Sequence, residues 1–288
     1  MIARSYLYVP GNAPDKLAKV LDRGADAVIV DLEDAVPWPA KDTARATVAQ
    51  WLTSLRGDTA GVEVWVRVNS GPLGLDDVAA VVGPSLTGVM VAKTEACAEL
   101  EAVDAALTRG EAAARLEPGS VAVVPLLESA AALLDARAIA AAPRVVRLQV
   151  GEADLAADLG FGDDADDADD ADWAAIRSQV VLVSAAAGIS APVAPVSTDF
   201  RDLDRFAEST RALARRGYTG RACIHPAQVQ VANEVFTPSA EALERAKALV
   251  ATFDEAVADG RGVVIGPDGR MVDEAVVRRA RSVIALAR

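Results

Sequence analysis

The sequence predicts a TIM (β/α)8 barrel followed by a C-terminal helical arm, and three observations support this prediction. Short β-branched segments alternate with longer alanine-rich segments of helical period, which is typical of βα units around a parallel sheet. About eight such units fit into roughly 250 residues, the usual size of this barrel. The alternative, an open doubly wound sheet, uses fewer strands and usually carries a glycine-rich loop after the first one. The segment PGNAP at residues 10–14 does not match that loop.

The predicted strands and helices follow one another in the order that a barrel requires. Eight strands are expected near Ser5–Val9, Ala27–Asp31, Val62–Val68, Gly88–Ala92, Val121–Leu126, Val145–Val150, Ala191–Pro195 and Arg221–Ile224. Helices are expected at Pro14–Asp22, Ala40–Leu55, Glu95–Ala113, Ser129–Ala140, Trp173–Ala187 and Asp202–Arg215. We therefore assign residues 1–236 to a catalytic barrel domain.

Residues 237–288 exceed what a barrel needs, and we interpret them as a helical arm. The pattern is a helix over Ser239–Ala258, a strand-like segment at Val263–Ile265, a Pro-Asp-Gly turn and a last helix from about Asp273. The apolar face of such an arm must be buried, and packing on a neighbouring subunit would bury it. We therefore expect a homo-oligomer, a trimer or a hexamer.

Composition and charge exclude several classes of protein. The chain has 288 residues, 52% of them hydrophobic, which is enough for a large core. Its 42 acidic and 29 basic residues give a net charge of −13, which argues against a nucleic-acid partner. No apolar stretch approaches the roughly 20 residues of a membrane span. The two cysteines fit free thiols in a reducing compartment, so we expect a cytoplasmic protein.

Two further features limit the kinds of metal and catalytic site that the chain can form. Seven of the acidic residues lie in one tract, Asp163–Asp172, which lacks the glycine turn and terminal glutamate of an EF-hand loop and is interpreted as a solvated loop. The single histidine, His225, excludes a multi-histidine zinc site and leaves any Ser-His-Asp triad dependent on that residue. Carboxylate chemistry with a hard metal ion is the more attractive alternative.

Polar residues end the apolar strands where a TIM barrel carries its active site. These residues are Asp31 to Asp34 after the second strand, Arg67 and Asn69 after the third, then Lys93, Glu128, Asp154 and His225. Each one alone is readily explained as a salt bridge or a cap. Their recurrence at equivalent places on six strands favours one shared site.

Motifs along almost the whole chain resemble the citrate lyase β-subunit-like proteins of the HpcH/HpaI aldolase superfamily. They are RSYLYVPGN at 4–12, DLEDAV at 31–36, VRVN at 66–69, VPLLES at 124–129, GEADLAADLG at 151–160, CIHPAQ at 223–228 and DGRMVD at 268–273. The resemblance implies a lyase that depends on Mg²⁺, with Mn²⁺ as a substitute. Its substrate would be a 3-hydroxyacyl-CoA of the malyl-CoA, citramalyl-CoA or citryl-CoA type, and its products an acyl-CoA and an α-keto acid.

The resemblance also implies roles for single residues. Glu128 and Asp154 resemble the two protein ligands of Mg²⁺, an ion that keeps several waters and usually takes one or two carboxylates. Arg67 resembles a catalytic, substrate-binding arginine, whose guanidinium can hold carboxylate or enolate oxygens through paired hydrogen bonds. Asp273 resembles a catalytic acid/base that reaches the active site of an adjacent subunit. By its position alone it is a helix N-cap.

A second group of residues resembles the contacts to coenzyme A. It comprises Tyr8, Lys19, Lys41 and Arg45, with Lys16 as a further candidate and His225 as a strand-end residue near the same site. Without the resemblance, the lysines would be interpreted as surface cations on helices.

The sequence departs from the family pattern in three places, and the third, in a loop near the predicted barrel mouth, puts substrate identity in doubt more than reaction type. Residues 151–154 read GEAD where relatives commonly have Gly-x-Glu-Asp, residues 92–96 read AKTEA in place of Pro-Lys-x-Glu-Ser, and the acidic tract replaces a loop that often carries arginine. Three alternatives stay open: a malyl-CoA-type thioesterase, a CoA-independent pyruvate aldolase, and a citrate lyase complex subunit that acts on a carrier-protein thioester.

Overall fold

The computed structural model describes residues 2–161, 170–266 and 269–287, and the chain divides into two compact units. Ala3–Asn233 form the first unit, and Glu234–Arg288 make up most of the second. Most of the acidic tract lies outside the described residues, so its interpretation as a solvated loop stays a prediction.

The first unit is a closed barrel of eight parallel strands, which confirms the predicted fold. The strands are β1 (Ser5–Pro10), β2 (Ala27–Asp31), β3 (Glu63–Val68), β4 (Gly88–Val91), β5 (Ala122–Leu127), β6 (Gln149–Val150), β7 (Val193–Ala194) and β8 (Gly220–Cys223). Each strand pairs with the next, and β1 closes the barrel by pairing with β8 through Ser5–Arg221, Tyr6–Ala222 and Leu7–Cys223.

The first unit also holds ten helices among the described residues. They are α1 (Pro14–Leu17), α2 (Lys41–Leu55), α3 (Gly71–Val81), α4 (Cys97–Ala114), α5 (Ala130–Leu134), α6 (Ala136–Ala140), α7 (Glu152–Leu159), α8 (Asp170–Ala187), α9 (Leu203–Arg216) and α10 (Pro226–Phe236), the last of which ends just beyond it. Within the described ranges, no helix has the length and apolar content needed to cross a membrane.

Several helix predictions need correction. The expected helix Pro14–Asp22 is shorter: α1 stops at Leu17, and a 3-10 turn, Leu21–Arg23, follows and ends at the left-handed Gly24. Helices α3, α7 and α10 were not predicted. In α3 the reason is composition, because two glycines and a proline in its first turn mask the helical pattern.

Side chains alternate between the two faces of each strand, and the barrel unit therefore has two hydrophobic cores. Side chains that point inward, such as Tyr6, Ile29 and Trp65, cluster inside the barrel, whereas their neighbours pack beneath the helices. Gly88 leaves room for the largest inward side chain, since a Cβ there would lie 2.4 Å from Cζ3 of Trp65. The last inward position of each strand therefore faces the carboxyl-terminal mouth.

The second unit combines a helix pair with a two-stranded sheet. Its elements are α11 (Ala240–Ala258), α12 (Glu274–Leu286) and the antiparallel strands β9 (Val264–Ile265) and β10 (Met271–Val272). Phe253, Val272 and Val277 form its small core. The order of helix, strand and helix agrees with the predicted arm, and β10 is an additional strand. Its packing on a neighbouring subunit stays a prediction.

Candidate active site

A cavity of about 900 Å³ opens at the carboxyl-terminal ends of the barrel strands. This volume suits a small-molecule site. Six of the nine residues to which the resemblance gave a role lie on its wall, and so do the further candidate Lys16 and the strand-end residues Asp31 and Asp34. The six are Tyr8, Lys19, Arg67, Glu128, Asp154 and His225.

The floor of the cavity follows from the alternation of the strands. Tyr8 lies two residues after the inward Tyr6, Arg67 two residues after Trp65, and Glu128 two residues after Leu126. Each of these polar side chains is thus the next inward position of an apolar row. The same period places Asp31 beside Arg67, its register partner on the neighbouring strand.

Asp31 accepts two hydrogen bonds from the Arg67 guanidinium. Nε of Arg67 donates to Oδ1 of Asp31 at 2.7 Å, and Nη2 donates to Oδ2 at 2.6 Å. Although burial disfavours the charged guanidinium, these bonds raise its pKa, so the arginine stays charged. The guanidinium also lies 5.3 Å from the ring centroid of Tyr8. These contacts fix the orientation of Arg67 at the cavity floor.

A second carboxylate, that of Glu33, lies between Arg67 and Lys93 and pairs with both. Oε2 of Glu33 lies 3.0 Å from Nη1 of Arg67, and Oε1 lies 2.5 Å from Nζ of Lys93. Asp34 is near both cations, at 3.5 Å from Arg67 and 3.3 Å from Lys93. Carboxylates therefore outnumber cations around Arg67.

Glu128 and Asp154 face the cavity together. Glu128 is only 6% exposed, and burial raises its pKa to about 7; the backbone N–H of Lys93 opposes this shift, and the negative charge of Asp154 adds to it. Neither carboxylate has an ion-pair partner in the described part of the chain. Asp154 lies in the first turn of α7 rather than at the end of β6, where it was predicted.

This donor set fits Mg²⁺. Two carboxylates of like charge repel each other across a cavity, and a divalent cation would remove that repulsion. Among the described residues, no group of three or more His, Cys, Asp or Glu side chains is placed to hold a metal. A site here would therefore rest on two carboxylates and on oxygens from water or substrate, as Mg²⁺ commonly does.

Glu152, the glutamate that departs from the family spacing, has a structural partner. Its two oxygens accept from Nε and Nη2 of Arg177, both at 2.7 Å, and both side chains are buried. This ion pair ties α7, which carries Asp154, to α8.

Cations line the mouth of the cavity. Lys16, Lys19 and Arg23 are exposed and lie on the wall at spacings of three and four residues. Arg23 was missed by the sequence analysis, although its spacing from Lys19 could have indicated it. Gln149 was also missed; its buried side chain lies on the wall, and no group in the described chain donates a hydrogen bond to its Oε1.

The other two predicted coenzyme A contacts do not lie on this wall. Nζ of Lys41 donates to the carbonyl oxygens of Leu32 and Glu33 at 2.7 and 2.6 Å, and so holds the loop after β2. Arg45 pairs with the buried Asp77 at 2.7 Å and with Asp42 at 2.8 Å. Their role in binding coenzyme A stays a prediction.

His225 and Asp273 each have a clear local setting. The His225 ring stacks on Phe200, with 4.9 Å between centroids, and its Nδ1 accepts from the N–H of Ala227. Asp273 belongs to the second unit and caps α12, accepting from the N–H groups of Ala275 and Val276 at 3.0 and 3.1 Å. The N-cap interpretation of Asp273 is therefore correct, and its catalytic role stays a prediction.

The chain is similar to known proteins over almost its whole length. A family model described as HpcH/HpaI aldolase/citrate lyase matches residues 4–226. A citrate lyase subunit beta-like protein of Deinococcus radiodurans is 36% identical, with 99% of this chain and 97% of the relative covered. Two Cereibacter sphaeroides proteins, an L-malyl-CoA/beta-methylmalyl-CoA lyase at 32% identity and a (3S)-malyl-CoA thioesterase at 33%, each cover 99% of this chain and are covered over 94% of their own length.

A solved structure is similar over nearly the full chain. It is protein CitE from Mycobacterium tuberculosis in complex with magnesium, acetoacetate and coenzyme A, which is 30% identical with a TM-score of 0.74. The match covers 98% of this chain and 97% of the other.

Proposed function

The chain belongs to the HpcH/HpaI aldolase/citrate lyase family, and from this premise we propose that its cavity is the active site of a Mg²⁺-dependent carbon–carbon lyase for CoA esters. The substrate is a 3-hydroxyacyl-CoA of the malyl-CoA, citramalyl-CoA or citryl-CoA type. Cleavage gives an acyl-CoA and an α-keto acid, and the reverse reaction forms the same bond.

One observation carries this proposal: the unpaired carboxylates of Glu128 and Asp154 share a cavity with the Arg67 guanidinium. An α-keto acid has a carboxylate and an adjacent oxygen that a divalent cation and a guanidinium can hold together. The arrangement therefore supports a keto-acid subsite on the cavity floor.

In this proposal Glu128 and Asp154 hold Mg²⁺. When bound, the ion supplies electrophilic polarisation of the hydroxyl or keto oxygen. Arg67 donates hydrogen bonds to oxygens that gain negative charge as the bond breaks, and Asp31 keeps the guanidinium oriented for that purpose.

The proposed cleavage requires two proton transfers. In the cleavage direction a water molecule takes the proton of the substrate hydroxyl, the carbon–carbon bond breaks, and its electron pair moves into the enolate of the acyl-CoA. A proton must then reach the α-carbon of the thioester. We assign its donation to Asp273 from the arm of a neighbouring subunit, which acts as the base in the reverse direction. The proposed enzyme is therefore a homo-oligomer, and we place it in the cytoplasm.

The mouth of the cavity supports binding of the coenzyme A part. Lys19 forms no ion pair in the described chain, and Lys16, Arg23 and His225 lie on the same wall, with Tyr8 deeper at the floor. Such a local patch attracts phosphate groups even on an acidic protein, because the long-range field is screened within about 10 Å.

Product analysis tests the proposal. The purified protein is incubated with Mg²⁺ and malyl-CoA, methylmalyl-CoA, citramalyl-CoA or citryl-CoA, and the products are identified by mass. An acyl-CoA together with a keto acid from at least one ester is the expected result. No reaction with any of the four would contradict a lyase that uses free CoA esters.

A thioesterase is the second candidate, favoured by the relative named a (3S)-malyl-CoA thioesterase. The same mass analysis separates the two activities. Hydrolysis releases free CoA and an intact hydroxy acid, whereas the lyase releases a keto acid and leaves the thioester bond unbroken. A malyl-CoA sample that yields malate and free CoA without glyoxylate would assign the thioesterase activity.

A further inference from the structure

Lys93 occupies an unusual backbone conformation beside the proposed metal site. Its φ angle is +50°, a left-handed conformation that is disfavoured for a residue with a Cβ atom. Strain of this kind persists only where surrounding contacts enforce it. Lys93 lies two residues after the end of β4, in the turn that leads to α4.

The backbone of Lys93 forms a hydrogen bond with Glu128. The N–H of Lys93 donates to Oε2 of Glu128 at 2.7 Å. In the part of the chain that the structure describes, no other group donates a hydrogen bond to that carboxylate. The turn conformation at Lys93 therefore sets which way Glu128 presents its oxygens to the cavity.

The side chain of Lys93 shares two carboxylate partners with Arg67. Nζ of Lys93 is 2.5 Å from Oε1 of Glu33 and 3.3 Å from Oδ1 of Asp34. The same two carboxylates contact Nη1 of Arg67. Without the ammonium group, Arg67 would be the one cation that pairs with both carboxylates in the described chain, and they would compete more strongly with a substrate carboxylate for its donors.

Neighbouring contacts hold both ends of the turn. The N–H of Ala92 donates to Val68 on β3, and the N–H of Thr94 donates to Leu126 on β5. The Thr94 hydroxyl also donates to the carbonyl of Val91 at 2.9 Å. The contacts that tie Lys93 itself to the site are its N–H bond to Glu128 and its ion pairs with Glu33 and Asp34.

From these contacts we infer that Lys93 is a positioning residue for two groups at once. Its left-handed backbone aims an N–H at the proposed metal ligand Glu128, and its ammonium group restrains the carboxylates that flank the proposed substrate arginine. The ion pair keeps the backbone in the strained conformation. The inference rests on the proposed function, because it takes Glu128 as a metal ligand and Arg67 as a substrate contact.

Two substitutions separate the backbone role from the ammonium role. Lys93→Met removes the charge but keeps a side chain that disfavours positive φ, whereas Lys93→Gly removes the charge and allows the left-handed conformation freely. Lys93→Arg keeps a cation. Mn²⁺ affinity is measured by calorimetry on the full chain without substrate, with wild type and Glu128→Gln as references.

We expect Lys93→Met to weaken Mn²⁺ binding about 10-fold, the lower end of the effect of residues that orient metal ligands. Lys93→Gly should stay within about threefold of wild type. Both variants should raise the KM for the CoA ester several-fold with a smaller change in kcat, and Lys93→Arg should largely restore that KM. Circular dichroism establishes that each variant is folded.

The outcomes distinguish this inference from the proposed function. Equal Mn²⁺ affinity in wild type and Lys93→Met, or equal weakening in Lys93→Met and Lys93→Gly, would overturn the backbone role while the metal site stands. A wild type that binds no Mn²⁺, or binds it as weakly as Glu128→Gln, would overturn the metal assignment and this inference with it.

Discussion

Gly151 leaves the space that the Glu128 carboxylate occupies. A Cβ built on Gly151 would lie 2.3 Å from Oε1 of Glu128 and 2.5 Å from its Cγ, far inside van der Waals contact. Gly151 directly follows β6, and its N–H donates to the carbonyl of Leu127, the residue before Glu128. The end of β6 therefore fixes both the backbone and the side chain at the end of β5.

This contact predicts that Gly151→Ala weakens metal binding. The added methyl group must push the carboxylate aside, and the expected loss is about 10- to 100-fold in Mn²⁺ or Mg²⁺ affinity, as for other residues that orient metal ligands. Gly83→Ala is the matched control, because no atom lies within 4 Å of a Cβ at that position. Calorimetric titration of both variants checks the prediction; a Gly151→Ala protein with wild-type affinity would contradict it.

Chelation is expected to abolish activity. After EDTA treatment and its removal, Mg²⁺ or Mn²⁺ should restore turnover, because both ions take oxygen ligands. Glu128→Gln and Asp154→Asn should each weaken metal binding while the fold is retained, since each removes one negative charge from the pair. The measurements are turnover against free metal concentration and circular dichroism. Full activity after exhaustive chelation would refute the metal assignment.

Arg67→Lys is expected to lower turnover although the charge is conserved. A lysine ammonium cannot form the paired hydrogen bonds that the guanidinium makes with Asp31, and it cannot present a second donor in a fixed direction to substrate. Loss of one such contact in the transition state typically costs about 3 kcal/mol, or roughly a hundredfold in rate. Steady-state kinetics test this, and a variant within about threefold of wild type would show that Arg67 is peripheral.

Glu111 is expected to make stability depend on pH. It is 1% exposed and accepts from Arg144 and from the N–H groups of Gly119 and Val121. Burial alone would raise its pKa, but these donors lower it from the ordinary value of 4.5 to about 2. Because the folded pKa lies below the unfolded one, this stabilisation is present above about pH 4.5 and is lost as the pH falls toward 2.

Glu111→Gln should therefore destabilise the protein by about 2–3 kcal/mol at pH 7. The difference from wild type should shrink between pH 5 and pH 3. Denaturant unfolding at several pH values measures it. Glu241→Gln, in an exposed pair on α11, should change stability by less than about 0.5 kcal/mol. A constant difference between the wild type and Glu111→Gln across this range would assign the loss to packing instead.

The sequence was most informative where the alternation of apolar residues along a strand also decides which side chains face the mouth of the barrel. Apolar alternation predicted the barrel strands, and the residue after each inward row, such as Arg67 or Glu128, had to face the mouth once the barrel closed. The same argument applied to β6 would have found Gln149 at the cavity floor. Short strands obscured it, because β6 and β7 have only two residues each.

Other parts of the site depend on contacts that a sequence does not display. Lys41 and Lys19 both lie in segments that the sequence predicts to be helical. Lys41 donates to backbone carbonyls of the loop after β2, whereas Lys19 lines the mouth of the cavity. Only the path of that loop decides between these outcomes. The left-handed turn at Lys93 is equally hidden, since lysine has no preference for it.

The arm yields the last prediction, which concerns how the active site is divided between subunits. Asp273 caps α12 through its side chain, so its replacement must keep the cap while removing the acid/base group. Asn meets both needs, because it is as good an N-cap as Asp and does not titrate. Asp273→Asn and Arg67→Ala should each be inactive as pure oligomers.

When the two inactive proteins are mixed under conditions that allow subunit exchange, activity should return. If the arm of one subunit completes the site of its neighbour, some mixed oligomers place an intact Asp273 against an intact Arg67 barrel. A site that lies within one chain cannot recover, because every chain carries one of the two defects. Exchange is established independently, by mass spectrometry of oligomers in which one variant is isotopically labelled. No recovery despite exchange, or a fully active monomer, would leave Asp273 with the helix cap as its only role.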